Sequence, residues 1–321
     1  MCAKKGNFTF CPPDEEEFAM DINRFTPEGK LEKKHLISLT NYKEEEILEI
    51  LHKTKDVERK LNAGEKLADL KGKFVCLITK HGFTRSRIAF ETAVTRLSGS
   101  PVVCAVRGTE LETMINDKLS MSAISGYGVN AVVVQTSEET DAEAMERGLD
   151  IPVINANAKS GPCEALAALY AIWQEKGTLS SLKVAMIGDP ATFTENFANA
   201  FCACGLDVTF VCPESLTPDA ASLAYCRQFG EVPVTDDLTE GLKGADVVYV
   251  SDGDLPAEFT LTKDALAAAK PSAIVLHVLP VAPDGILSEE VVSSPAFAGL
   301  AEAHALPLVE TAILSLLVAK K

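Results

Sequence analysis

Four short segments carry side chains whose types and spacing could do chemistry. The first, Thr79-Lys80-His81-Gly82-Phe83-Thr84-Arg85-Ser86-Arg87, follows the β-branched apolar run Phe74 to Ile78. Thr84 suits the N-cap of a helix running to Leu97. Backbone N–H groups at a helix start, the Thr84 and Ser86 hydroxyls and an arginine in the first turn together suit a phosphate. Successive helical residues are about 100° apart, so Arg85 and Arg87 diverge by roughly 200° and do not easily reach one ligand together. Arg85 is assigned to the ligand and Arg87 to an internal ion pair; two solvated arginines on a capped helix is the competing reading.

The second segment is Ser160-Gly161-Pro162-Cys163-Glu164, where Pro162 suits the first position of a helix and Glu164 its positive end. The third is His277-Val278-Leu279-Pro280, after the run Ala273 to Leu276; a lone histidine at a strand end is structural more often than catalytic. The fourth, Gly188-Asp189-Pro190, lacks the G-x-G-x-x-G that lets a backbone approach a pyrophosphate, which speaks against a dinucleotide and a nicotinamide oxidoreductase. Nine cysteines contain no CxxC pair and read as reduced thiols, with neither zinc nor a disulfide framework. No cofactor and no metal are expected.

These segments need elements that hold them in place. β-branched apolar runs near 74–79, 101–105, 130–135, 151–154, 182–187, 207–212, 245–250 and 273–277 alternate with helix-period stretches, the pattern of a parallel sheet covered by helices. In such sheets ligands bind beyond the carboxyl ends of strands, where all four segments fall. The expected fold is α/β, with two doubly wound parallel-sheet domains. Residues 1–34 are read as an irregular extension, 35–160 as the first domain, 161–178 as a linking helix carrying the only Trp, and 179–305 as the second domain. Apolar residues at 308, 309, 312, 313, 316 and 317 make 306–321 a helix whose face needs a partner surface, and it is expected to pack back on the first domain.

Composition limits the function. A chain of 321 residues with 47% hydrophobic and 24% charged residues is long enough for about two globular domains. Its 30 basic and 46 acidic residues leave a net charge of −16, a poor match for nucleic acid or an anionic membrane surface. The longest apolar stretches fall short of the roughly 20 residues that span a bilayer, and the expected location is cytoplasmic.

Taken in order, the four segments resemble the ornithine and aspartate carbamoyltransferase family, nearer the ornithine branch. Phe83-Thr84-Arg85-Ser86-Arg87 is similar to the family's S-T-R-T-R carbamoyl phosphate loop, Gly161-Pro162-Cys163-Glu164 to H-P-C-Q, and His277-Val278-Leu279-Pro280 to H-C-L-P, while Gly188-Asp189 opens the second domain. The resemblance implies that carbamoyl phosphate, or a related acyl phosphate, binds the first domain through Thr84, Arg85, Ser86, Arg87, Cys163, Glu164 and Leu279. His277 then acts as the catalytic residue, Asp252 or Asp254 orients an amino-acid amine, and the chain forms a homotrimer with sites at subunit borders.

The departures fall on the chemistry. Phe83 replaces the loop's first serine, Gly161 the histidine, Glu164 the glutamine, and Val278 the cysteine. Gln135 stands where the family places an arginine, and no arginine occurs between Glu302 and Lys321. Neither the asparagine pair nor the S-M-G loop of ornithine enzymes is present. Two functions follow from this: a non-catalytic or strongly altered paralogue, or an active transferase with a remodelled site and an unusual amine acceptor.

Overall fold

The computed structural model describes residues 20–80, 84–136, 139–156, 161–190, 194–218, 220–251, 255–282 and 285–319. After α1 (Glu44–Asn62), the first half contains β1 (Phe74–Thr79), α2 (Thr84–Arg96), β2 (Ser100–Ala105), α3 (Leu111–Met114), α4 (Lys118–Gly126), β3 (Ala131–Gln135), α5 (Glu139–Gly148) and β4 (Val153–Asn155). The helix α6 (Pro162–Lys176) leads into β5 (Lys183–Ile187), α7 (Asn199–Ala203), β6 (Asp207–Val211), α8 (Ala220–Cys226), β7 (Val234–Thr235) and α9 (Leu238–Leu242). Next come β8 (Val247–Val250), α10 (Lys263–Leu266), β9 (Ile274–His277), α11 (Glu289–Val292) and α12 (Gly299–Val318).

The strands form two fully parallel sheets, ordered β2-β1-β3-β4 and β7-β6-β5-β8-β9. This is the expected two-domain α/β architecture. All but the first residue of β1 and all of β3 are buried, as central strands covered on both faces require. By contrast β2 is an edge strand with exposed and half-buried side chains. β7 is a ninth strand, two residues long, whose Val-Thr sequence is too short to show a period.

Two expectations change. The C-terminal helix starts at Gly299, seven residues before the expected start, and runs through Pro307. A proline inside a helix withholds one N–H, here from the Ala303 carbonyl, and it ends a helix only where burial does not outweigh that loss. α12 is buried over most of its length among α1, α2 and α6, so packing wins. By length and composition alone it could cross a bilayer, but its place here is that of a core helix. Its end is tied to the first half by the Lys73 ammonium on the Val318 carbonyl and by the Ser315 hydroxyl on Asp69.

The second change concerns the N-terminal segment. Residues 20–34 form no regular element, yet Ile22 is fully buried and its carbonyl accepts from His52 Nε2 at 2.7 Å. Asn23 accepts from Trp173 Nε1 at 3.3 Å. The packed body therefore begins ahead of His35, because isolated apolar residues in a polar stretch carry no periodicity yet still fill the gap between α1 and α6.

Candidate active site

The carboxyl ends of β1, β4 and β9 bring three of the four segments to one cleft between the sheets, beside the end of β3. α2 begins at Thr84, which is exposed there. Arg85 reaches across to the second domain: Nη1 donates to the Leu279 carbonyl, and Nη2 lies 3.4 Å from Glu164 Oε1. One guanidinium thus ties α2, the start of α6 and the loop after β9 together. Arg87 faces away and pairs with Glu91 one turn on, Nε to Oε1 at 2.6 Å.

Ser86 is buried and donates to the Ala156 carbonyl at 3.3 Å while accepting from Gln135 Nε2 at 2.9 Å. Its hydroxyl is therefore spent on internal partners. Gln135, at the end of β3, is wholly buried and directed at Ser86. Cys163 is buried with its thiol on the Asn155 carbonyl at 3.6 Å; burial, with Glu310 and Glu164 adding, holds it well above the ordinary thiol range. It remains a thiol, which is a poor nucleophile.

Glu164 follows it on α6 and is 5% exposed. Burial pushes its carboxyl up to about 7, against the opposing pull of Arg85. His277 closes β9, and its Nδ1 lies 2.8 Å from the Val250 carbonyl. A carbonyl can only accept, so Nδ1 carries a proton and donates it to Val250. Arg85, Glu164, His277 and Leu279 line one end of a cavity of about 250 Å³. Asp252 and Asp254 lie outside the described residues, as do residues 81–83 of the first loop.

Sequence reasoning missed two further carboxyls. Glu302 and Glu310 project from α12 into the interior, 2% and 0% exposed. Burial, with Glu164 adding, raises Glu302 to about 8 despite a hydrogen bond from the Tyr249 hydroxyl at 3.3 Å. Burial holds Glu310 well above the carboxylate range. Spacings of four place Glu302, Leu306 and Glu310 on one side of the helix, so a carboxylate stripe bordering an apolar face was readable. Burial thus favours the neutral form of these carboxyls, and Glu302 makes the cleft less anionic than formal charge counting suggests. The seven described cysteines are thiols, and no acidic, histidine or thiol cluster among the described residues could hold a metal ion.

Family comparison decides the lineage. The carbamoyl-phosphate-binding domain of aspartate/ornithine carbamoyltransferases matches residues 34–174, and the Asp/Orn-binding domain matches residues 180–317. The chain belongs to the aspartate/ornithine carbamoyltransferase family. An ornithine carbamoyltransferase from Methanosarcina mazei is 28% identical over 278 residues, covering 82% of this chain and 92% of the relative. One from Rhizorhabdus wittichii is 31% identical over 235 residues, 68% of this chain and 75% of the relative. The solved ornithine carbamoyltransferase of Pyrococcus furiosus superimposes with a TM-score of 0.83 at 26% identity, over 90% of this chain and 98% of that one. The ornithine branch is the nearer one, and the fold is the family's.

Proposed function

We propose that this family member does not carry out ordinary ornithine carbamoylation and is a non-catalytic or strongly altered paralogue. The observation that carries the reading is the commitment of Arg85, whose two terminal nitrogens are taken by the Leu279 carbonyl and the Glu164 carboxyl. A dianionic acyl phosphate would have to break both contacts and then face Glu164. Gly161 offers no side chain in place of the family's histidine, and Gln135 is turned toward Ser86. Losing one donor to a developing oxyanion typically costs about 10² to 10³ in rate, so several altered donors together cripple the reaction.

Thermal unfolding with and without carbamoyl phosphate, paired with a citrulline assay, tests this. The expected result is little stabilisation and no citrulline; strong stabilisation with rapid citrulline formation overturns it.

One observation favours an active transferase instead. A Glu164 carboxyl held at about 7 is half neutral at that pH, and a neutral carboxyl donates a hydrogen bond as a glutamine amide would. On that reading the chain moves a carbamoyl, or related acyl, group to the amine of an amino acid or similar acceptor, and its rate falls as pH rises through 7.

A further inference from the structure

The first sheet has a cavity on the face turned away from α12. Its volume is about 570 Å³, its lining includes Phe74, Val102, Met114 and Tyr127, and it shares no residue with the Arg85 cleft. Two free thiols border it: Cys76 on β1 and Cys104 on the edge strand β2, with their sulfurs 3.7 Å apart. Cys104 is half-buried and is the accessible partner, whereas Cys76 is 4% exposed.

The sheet geometry selects what this pair can bond. In the parallel ladder Cys76 stands beside Val102, so the two cysteines are two positions out of register. A strand spacing of about 4.8 Å and a rise of about 3.3 Å per residue put their Cα atoms about 8 Å apart, beyond the roughly 4.4 to 6.8 Å that a disulfide spans. Burial and the neighbouring Cys104 also push the Cys76 thiol up to about 12, so it stays protonated and disulfide exchange through its thiolate is disfavoured. A bridging atom needs no closer approach: two sulfur bonds of the zinc–thiolate length, about 2.3 Å, span about 3.7 Å at a tetrahedral angle. Zinc would need further ligands, and no group of three metal-binding His, Cys, Asp or Glu side chains occurs among the described residues. A trivalent arsenic that already carries one carbon group is complete with two sulfurs.

We propose that Cys76 and Cys104 form a dithiol site for a monosubstituted trivalent arsenical, whose organic group occupies the apolar cavity beside Met114 and Tyr127. An arsenoxide, R–As=O, bonds Cys104 first and then Cys76. Two S–As bonds form, two S–H bonds and the As–O link break, and both protons leave with the oxygen as one water. Nothing is oxidised or reduced. The site stands whether or not the chain catalyses transfer.

Phenylarsine oxide, added at one equivalent to the reduced full chain in excess mercaptoethanol, tests this by intact mass and peptide mapping. The expected result is one adduct per chain, mapped to Cys76 and Cys104 and stripped by ethanedithiol. Cys104→Ser should lower its occupancy at least about tenfold, because a single thiol loses the effective concentration of its neighbour. Cys202→Ser should leave the adduct intact, which sets aside the thiol pair Cys202 and Cys226. Methylarsine oxide should bind at least about fivefold more weakly, since it buries no ring. The chain is titrated in the assembly that it adopts in solution, so a cavity closed by a second copy would give no adduct. The proposal is overturned if no adduct survives the monothiol, if the adduct persists in Cys104→Ser, or if mapping of the unaltered chain places arsenic on another pair.

Discussion

Replacing Glu164 by glutamine should stabilise this protein in alkaline solution and leave it nearly unchanged in acid. The folded chain holds the Glu164 proton up to about 7, whereas an unfolded chain releases it near the ordinary 4.5. Between those values the folded state binds more protons, so this group's contribution to stability falls as pH rises, and above about 7 the whole penalty is present. At about 1.36 kcal/mol per pH unit, the interval corresponds to an upper figure of about 3 kcal/mol. Glutamine keeps the size of the side chain and stays neutral, so Glu164→Gln removes that penalty. At roughly 2 to 4 °C per kcal/mol, melting should rise by about 6 to 12 °C at pH 9 and by about 1 °C or less at pH 4, below both values. Comparing variant with wild type is essential, because carboxylates held low, such as Asp117 with its hydrogen bonds from Ser120 and Leu119, act with the opposite sign. Glu302 strengthens the effect, since Glu164 helps to hold its carboxyl up. Scanning calorimetry at the two pH values measures this. A Glu164→Gln protein that melts at or below the wild-type temperature at pH 9 would refute the reasoning, because the Arg85 contact would then repay the burial in full.

Ornithine with carbamoyl phosphate should yield citrulline at a rate at least about 10⁴ below a normal family member, taking two lost donors at about 10² each; a kcat near 10 s⁻¹ in a colorimetric assay is the contrary result. Gly161→His with Glu164→Gln should recover part of that activity by restoring a donor and removing a carboxylate. Arg85→Ala should abolish weak, salt-sensitive sulfate binding, and above pH 7 it should destabilise by about 3 kcal/mol by stranding buried Glu164; sulfate binding that persists in the variant would leave the loop as no more than a capped helix. Light scattering should give a homotrimer, consistent with exposed Phe74, Val102, Leu119 and Tyr127 on the first domain, and a monomer at micromolar concentration is the opposing outcome. Gly241→Ala should cost about 1 to 3 kcal/mol in urea unfolding, because the added methyl group would sit 2.3 Å from Val211 Cγ2; an unchanged midpoint would show that α9 shifts freely on β6.

Much of this molecule follows from local pattern. Runs such as Phe74 to Ile78 and Ala131 to Val134 read as buried parallel strands because both faces are covered, and strand ends in such sheets face a common cleft. That was enough to place Arg85 at a candidate site, and with the family resemblance of the loops it added Glu164, His277 and Leu279. The helical angle alone separated Arg85 from Arg87, as their different partners illustrate. Pairing across the fold is of another kind. Arg85 and Glu164 are 79 positions apart and Arg85 and Leu279 are 194 apart, and no local period encodes which guanidinium meets which carbonyl. Burial is also a property of the assembled fold: Glu302 and Glu310 look like ordinary surface glutamates until α12 is wedged among α1, α2 and α6. Only there does the loss of water raise their carboxyls, and only there does the run through Pro307 stay helical. Residue types and spacing determined the fold and the location of the cleft; desolvation and long-range packing decided its charge and what Arg85 holds.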